Sequence, residues 1–469
     1  VGIWGMRKTT TLNDFFLGGR SVGPWMSAFA YGTTYFSASV FIGFAGKQGW
    51  GFGPSALLIG VGNALVGALA AWAILAKRTR RMTQNLDTMT MPEFLEARYQ
   101  SEHIKMISAV IIFIFLLPYS ASIFKGLGHL FESTFHISFD FALIILVVIT
   151  GIYLVLGGYF AVTVTSFIQG IIMLVGAVIM ICVLVYKAGG LTEAITTVNT
   201  NYPEHVPAAQ QPSWLTIASL IFMTSVGSWG LPQMVQKFYA IKNEKVIPKA
   251  AIITTIFALV IGITAYGSGI LSHVFFDNNT VPKMANGGVN YDQIMPNLLA
   301  IKLPEALLAI IMLLILSASM SSLASLVLVS ASSITVDLYK GYLKKDVDEK
   351  TSLIIMRSLS VLFIFATYLI SKLQLGFIVT MQSLSWGVLS GAFLAPYVFA
   401  IYSKKVTKAA AYAGIYSGAG SAIILTMALG AANSALAASI AIIVPFIVVP
   451  IVSAFTPKVD KEVIDKAFQ

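Results

Sequence analysis

Cysteine, histidine and charge are all scarce in this chain, and each scarcity closes a class of function. A single cysteine, Cys182, stands among 469 residues. No disulfide framework and no cysteine-based zinc motif can form within one chain. The five histidines, His103, His129, His136, His205 and His273, fall at the ends of apolar runs or in connecting segments, without metal-ligand spacing. There is no phosphate-cradling loop and no nucleophile–base pairing, so neither an enzyme nor an ATP-driven pump is expected. Charged residues make up 11% of the chain, against about 25% in a soluble domain.

Apolar residues are what the chain has in quantity, at 57%. Runs of about 20 of them recur from end to end, the length needed to cross a bilayer as a helix. The ten-residue alternation of a membrane β-barrel is absent. The fold class is therefore an all-α polytopic membrane protein. The net charge of +10 raises the question of a nucleic-acid partner, and its distribution answers it: the basic residues mark loops on one side of a membrane. The expected partners are a lipid bilayer and a small-molecule substrate, with no nucleic acid and no obligate protein partner.

Apolar runs and breakers predict twelve complete spans near 25–46, 54–77, 104–131, 138–156, 162–186, 214–236, 248–275, 304–336, 351–372, 376–402, 408–430 and 434–455. Residues 1–6 read as the end of a thirteenth, truncated at its start. Placing "KRTRR", residues 77–81, in the cytoplasm and alternating outward puts 24 of the 30 lysines and arginines on the cytoplasmic side and five outside, with Lys125 inside a span. The expected location is the inner or cytoplasmic cell membrane, with the C-terminus cytoplasmic. The segment "TMTMPEFLEARYQ", residues 88–100, reads as a short helix on the cytoplasmic face.

Two spans are interrupted. "GTTYFSASVFIGF", Gly32 to Phe44, places Thr33, Thr34, Tyr35, Ser37 and Ser39 beside a helix-weakening glycine in the middle of an apolar run. "TSVGSWGLPQMVQKF", Thr224 to Phe238, carries Gly227, Gly230 and Pro232. Each has a plain alternative: hydroxyls bonded back to the preceding turn, and a proline kink. Irregular backbone at membrane depth is tolerated only where it lines a cavity. Interruptions five spans apart point to a transporter built from two inverted five-helix repeats, in which unwound carbonyls coordinate a cation. A third cluster, "LSASMSSLASLVLVSASS", Leu316 to Ser333, sets Ser321 and Ser322 one turn after Ala318. Two hydroxyls and main-chain carbonyls can give sodium its hard oxygen ligands without a carboxylate; close helix packing is the alternative reading of the same serines.

These residues resemble the sodium/solute symporter family, and within it the bacterial proline and pantothenate symporters. "FFLGGRSVGPWMSA" (15–28), "TYFSASVFIG", "GGYFAVTVTSFIQG" (157–170) and "MSSLASLVLVSASSITVDLYK" (320–340) carry the resemblance, which spans nearly the whole chain. It implies a leucine-transporter-type fold with discontinuous first and sixth core helices and about 13 transmembrane helices. On that scheme residues 1–20 hold the truncated helix and a cytoplasmic loop, 24–186 the first repeat and 213–402 the second. Residues 406–456 hold two extra helices, and 457–469 form a cytoplasmic tail, all in one transmembrane domain, 1–469. The tail is too short for a signalling domain, which argues against a solute sensor.

The resemblance further implies a sodium ion as coupling ion. Its ligands would be the carbonyls of Thr33, Phe36 and Ala318 and the hydroxyls of Ser321 and Ser322, with Ser37 lining the same region. The substrate pocket would involve Tyr35, Ser39, Tyr119, Trp229, Gln233 and Trp386. The implied activity is sodium-coupled symport of a small organic solute, an amino acid such as proline or a carboxylate such as pantothenate, by alternating access. Two departures bear on the coupling. The proline symporter has an aspartate where this chain has Tyr35, and many members have one where it has Ser166. A second sodium would also want hydroxyls at positions 324 and 325, and Ala324 has none. One sodium per cycle is expected, with proton coupling in the same fold as the alternative. Lys125 has two readings: an anion-attracting charge in the outer vestibule, or a side chain snorkelling to the outer surface.

Overall fold

The computed structural model of the protein describes Leu17 and residues 20–156, 159–343 and 348–469, without the side chains of 153–161 and 349. The expected end of a truncated helix at residues 1–6 and the Gly157–Gly158 pair of the family motif lie outside the described residues. The elements are helical, joined by two isolated β-bridges.

Helix α1, Pro24–Tyr35, starts with a proline in its first turn, where the missing N–H costs nothing. It stops at Phe36, whose backbone is extended. The chain resumes as a π-helical turn, Ser39–Phe44, and then α2, Ala45–Phe52. Gly53 turns it with φ +53°, a conformation that favours glycine. The return passes through α3, Leu57–Gly62, and further helical turns to α4, Lys77–Asn85. Within the segment predicted to form a short helix, α5, Met91–Tyr99, begins with a complete Thr90–Glu93 capping box.

Helix α6, Glu102–Phe135, is followed by α7, Phe139–Leu156, and α8, Tyr159–Lys187. After α9, Leu191–His205, the second interrupted span runs through α10, Trp214–Ser225, a 3-10 turn at Gly227–Gly230 and α11, Pro232–Tyr239. It bends by 49° at Leu231. Then come α12, Ile247–Ile270, α13, Ser272–Phe275, α14, Tyr291–Lys302, and α15, Glu305–Ser332, continued as a π-helix over Ser333–Leu343. Helices α16, Glu349–Lys372, α17, Ile378–Tyr402, α18, Lys408–Leu429, α19, Ser434–Phe455, and α20, Lys461–Phe468, complete the chain.

Among the described residues nine helical runs are long and apolar enough to cross a membrane, or ten if the bent pair counts as one. The twelve-span reading is finer than this count. The end of the run expected at 25–46 and that at 54–77 share one helical stretch, Ser39–Asn85; that at 138–156 gives only the shorter apolar helix Phe139–Ile152; and the interrupted span is split by its bend.

Small residues set the closest helix contacts. A Cβ on Gly49 would lie 2.2 Å from the backbone of Gly269, and one on Gly262 2.8 Å from that of Gly60. Glycine at both positions of each pair lets α2 and α3 lie backbone to backbone against α12. The lysine- and arginine-rich end of the bundle is closed by main-chain pairing. Val22 bridges Ile241 in parallel, and Arg80 donates to the carbonyls of Ile241 (2.5 Å) and Lys242 (3.3 Å). The chain leading into α1 is thereby tied to the chain leaving α11.

Candidate functional site

The interruption after α1 frees backbone groups that have no lipid partner, and α15 supplies partners for them. Ala38 N–H donates to Ser319 Oγ at 3.1 Å, and Val40 N–H to Ser37 O at 3.0 Å. On the carbonyl side, Ser322 Oγ donates to Thr33 O at 3.0 Å and lies 3.3 Å from Thr34 O. Ser321 Oγ donates to Thr33 Oγ1 at 2.8 Å and sits 2.8 Å from Ser166 Oγ. Thr34 Oγ1 and Ser325 Oγ are 3.0 Å apart. All these residues are buried.

Three helices, α1, α8 and α15, thus converge on a cluster of neutral oxygens. The structure brings Thr33, Ser321 and Ser322 together. Phe36 and Ala318 are buried on the same two elements, and Ser37 Oγ is engaged locally by Ser39 N–H at 3.3 Å. Hydroxyls and carbonyls of this kind suit a hard monovalent cation, since none carries a charge that would hold the ion permanently. The hydroxyls that now donate to Thr33 can turn their lone pairs to such an ion.

The aromatic candidates form a second group beside the first. The Tyr35 ring stacks on Trp386 with centroids 6.3 Å apart, and Tyr119 meets Trp386 edge-on at 5.7 Å. Tyr35 O–H donates to Thr224 O at 2.6 Å, bridging the two interrupted spans. Ser39 Oγ and Ser122 Oγ are 3.1 Å apart. Trp386 also lies against Gly227, and Ser390 O–H donates to the Gly227 carbonyl, so α17 packs on the second break. Gln233 follows Pro232 in the first turn of α11. It is buried, and among the described residues neither its Nε2 nor its Oε1 has a hydrogen-bond partner; Trp386 Nε1 has none either. A buried amide left unpaired on both sides is costly. Trp229 points elsewhere: its Nε1 donates to Val66 O at 3.1 Å, and the side chain is only partly buried.

Lys125 neither opens onto a vestibule nor reaches the surface. It is 5% exposed, and its Nζ donates to Asp292 Oδ2 at 2.7 Å and to Gly376 O at 2.7 Å. Asp292, on α14, also accepts from Ile378 N–H at 3.2 Å. This ion pair ties α6, α14 and the start of α17 together at the lysine-poor end. The sequence placed Asp292 in a long loop, and nothing local paired it with a lysine on another span. A cavity of about 560 Å³ lies at the same end, lined by Lys47, Phe52, Gln211, Tyr291, Phe377 and Thr380. Two more residues escaped the sequence reading. Ser319 was one serine in a run of them. Lys237, counted with the loop lysines, is buried in α11, and its Nζ donates to Ser325 Oγ at 3.0 Å.

Comparison with known proteins bears on this arrangement. The sodium:solute symporter family matches residues 15–418. A sodium/proline symporter of Staphylococcus aureus is 31% identical over 440 residues, covering 89% of this chain and 81% of the relative. The osmoregulated proline transporter OpuE of Bacillus subtilis is 28% identical, covering 90% and 85%. Among solved structures, the substrate-bound outward-open state of a Na+-coupled sialic acid symporter superimposes with TM-score 0.81 at 18% identity, covering 98% of this chain and 95% of that one. MhsT in complex with L-phenylalanine gives 0.54 at 15%, covering 93% and 99%. These likenesses show a shared fold, the leucine-transporter type. With the family matching most of its length, the chain belongs to the sodium:solute symporter family, and is a multi-pass membrane transporter.

Proposed function

We propose that this transporter imports a small zwitterionic solute of the proline class with one sodium ion per cycle, by alternating access. The sodium reading is carried by the oxygen cluster at the first interruption. Thr33 O, Phe36 O, Ala318 O, Ser321 Oγ and Ser322 Oγ are its ligands, with Ser37 beside them. None of these groups titrates near neutral pH, which favours sodium over a proton at this site. Ser166 and Ala324 contribute no carboxylate and no hydroxyl to a second sodium.

The solute reading is carried by the unpaired amide of Gln233 and the Trp386 indole. With Tyr35, Ser39 and Tyr119 they would offer a solute aromatic walls and neutral polar groups. No side chain in this set is charged, and the nearest cation toward the lysine-poor end, Lys125, is committed to Asp292. A solute with no net charge suits such a pocket better than an anion such as pantothenate. The relatives named for proline agree with this choice. Trp229, bonded to Val66, supports the wall rather than touching the solute.

The remaining assignments are of a piece with this. Residues 24–186 and 213–402 form the two inverted repeats, and 406–456 the two extra helices. The basic end, with the C-terminal tail, faces the cytoplasm. The test is thermal stability of the purified protein in sodium, lithium and potassium chloride at equal ionic strength. A saturable shift with sodium alone, lost in Ser321→Ala, is expected. Equal shifts with all three salts would overturn the sodium reading.

A further inference from the structure

The reading above leaves one buried carboxylate without a task. Asp337 lies within the π-helical continuation of α15, Ser333–Leu343, roughly 22 Å along the helical run from Ser322 at 1.5 Å per residue. It is fully buried. Its Oδ1 accepts from Thr90 Oγ1 at 2.6 Å, and its Oδ2 has no hydrogen-bond partner among the described residues. A carboxylate held this way in the interior is expensive unless something positive meets the free oxygen.

That carboxylate lines a small cavity of about 20 Å³, together with Thr90, Gln236, Ser332 and Ser333. The space takes one occupant of about the size of a water molecule. The hydroxyl hydrogens around it are already spent. Ser332 Oγ donates to Val329 O at 2.9 Å, Ser333 Oγ to Ser330 O at 2.8 Å, and Thr90 Oγ1 to Asp337 itself. Each of these hydroxyls therefore offers only lone pairs to an occupant. The charges nearby are mixed, and the positive ones are engaged: Lys237, next to Gln236, donates to Ser325 at 3.0 Å. Lys105 is paired with Glu96 at 2.9 Å, and Glu93 is bonded to the main-chain N–H groups of Met89 (2.8 Å) and Thr90 (3.3 Å).

From these observations we propose that Asp337 Oδ2, Ser332 Oγ and Ser333 Oγ form a second monovalent-cation site, a station on the cytoplasmic exit route of the coupling ion. The inference rests on the sodium reading of the Thr33–Ser322 cluster. The route follows α15 from its middle, at Ser321 and Ser322, past Val329, Ser332 and Ser333 to Asp337; Ser325, which accepts from Lys237 Nζ at 3.0 Å, is not part of it. The cavity is walled by Pro232 and Gln236 of α11 and by the start of α5. A cation there touches the inner half of the second interrupted span and the helix that caps the cytoplasmic end. Its departure is thereby coupled to the opening of that end. One carboxylate with neutral oxygens suits sodium better than a divalent ion, which takes more oxygen ligands and charge. Transport stoichiometry stays at one, because the two sites lie on one path.

The test is equilibrium binding of radioactive sodium to the full-length protein in nanodiscs, with Asp337→Asn, Ser321→Ala and the double variant Ser332→Ala/Ser333→Ala alongside. Two classes of site are expected in the unaltered protein. Asp337→Asn should abolish the weaker class and leave the tighter within twofold. The serine pair should weaken that same class at least fivefold with the carboxylate intact, which covers the case in which Asp337→Asn fails to fold. Ser321→Ala should remove the tighter class alone. A single class, lost in Ser321→Ala and unmoved by Asp337→Asn or the serine pair, overturns this inference and spares the sodium reading. No sodium-specific binding in the unaltered protein overturns both.

Discussion

The two interrupted spans solve one problem with different chemistry. The first breaks among threonines and serines, and its freed groups are met by Ser319 and Ser322 of α15. The second breaks at glycines and Pro232, and the Gly227 carbonyl is met by Ser390 of α17. At the first break the polar groups are satisfied by one another and can be handed to an ion. At the second, the Gln233 amide has no hydrogen-bond partner on either side among the described residues. Tyr35 joins the two breaks through Thr224.

The largest expected effect lies away from both breaks and serves as their control. Lys125→Met strands Asp292 inside the bundle, and removing one partner of a buried pair costs about 3–5 kcal/mol. Thermal unfolding should show that loss, and Lys125→Met/Asp292→Leu should recover most of it. Transport of neutral and anionic solutes should fall in proportion; a loss confined to anions would return Lys125 to the substrate path. Next comes the first break. Ser321→Ala should weaken sodium affinity about tenfold or more, roughly 1.4 kcal/mol, with solute KM at saturating sodium changed little.

Gln233→Leu should do the converse. KM for proline should rise by about 3–10-fold, the value of one or two hydrogen bonds, with sodium affinity unchanged. If either variant moved both parameters equally, the division between the breaks would fail. Ser166→Asp sharpens the first break instead. A carboxylate beside Ser321 should raise sodium affinity several-fold and slow turnover, read as lower kcat with a lower sodium requirement. The smallest effect is expected for Trp229→Phe, because its indole N–H serves Val66. A change in proline KM above about twofold would bring Trp229 into the pocket.

Much of this arrangement was legible in the chain. Hydropathy and breakers are local properties, so the apolar runs, the hydroxyl cluster around Gly32 and the Gly–Gly–Pro break at 227–232 could be read directly. The serine seam at 316–333 was visible too, because one helix face repeats at short intervals. The sequence by itself also set that lysine and arginine concentrate in connecting segments between the apolar runs. Only the tertiary structure decided which groups meet. Lys125 finds Asp292, Ala38 finds Ser319, and Asp337 finds Thr90, each across a long stretch of chain. It gave the Trp229 indole N–H to Val66 and drew Lys237 off the surface to Ser325. The reason is physical. A residue's polarity sets whether it can be buried, whereas the packing of distant helices sets which partner it meets there. In a membrane-spanning bundle, where a buried polar group without a partner is expensive, that meeting gives a side chain its task.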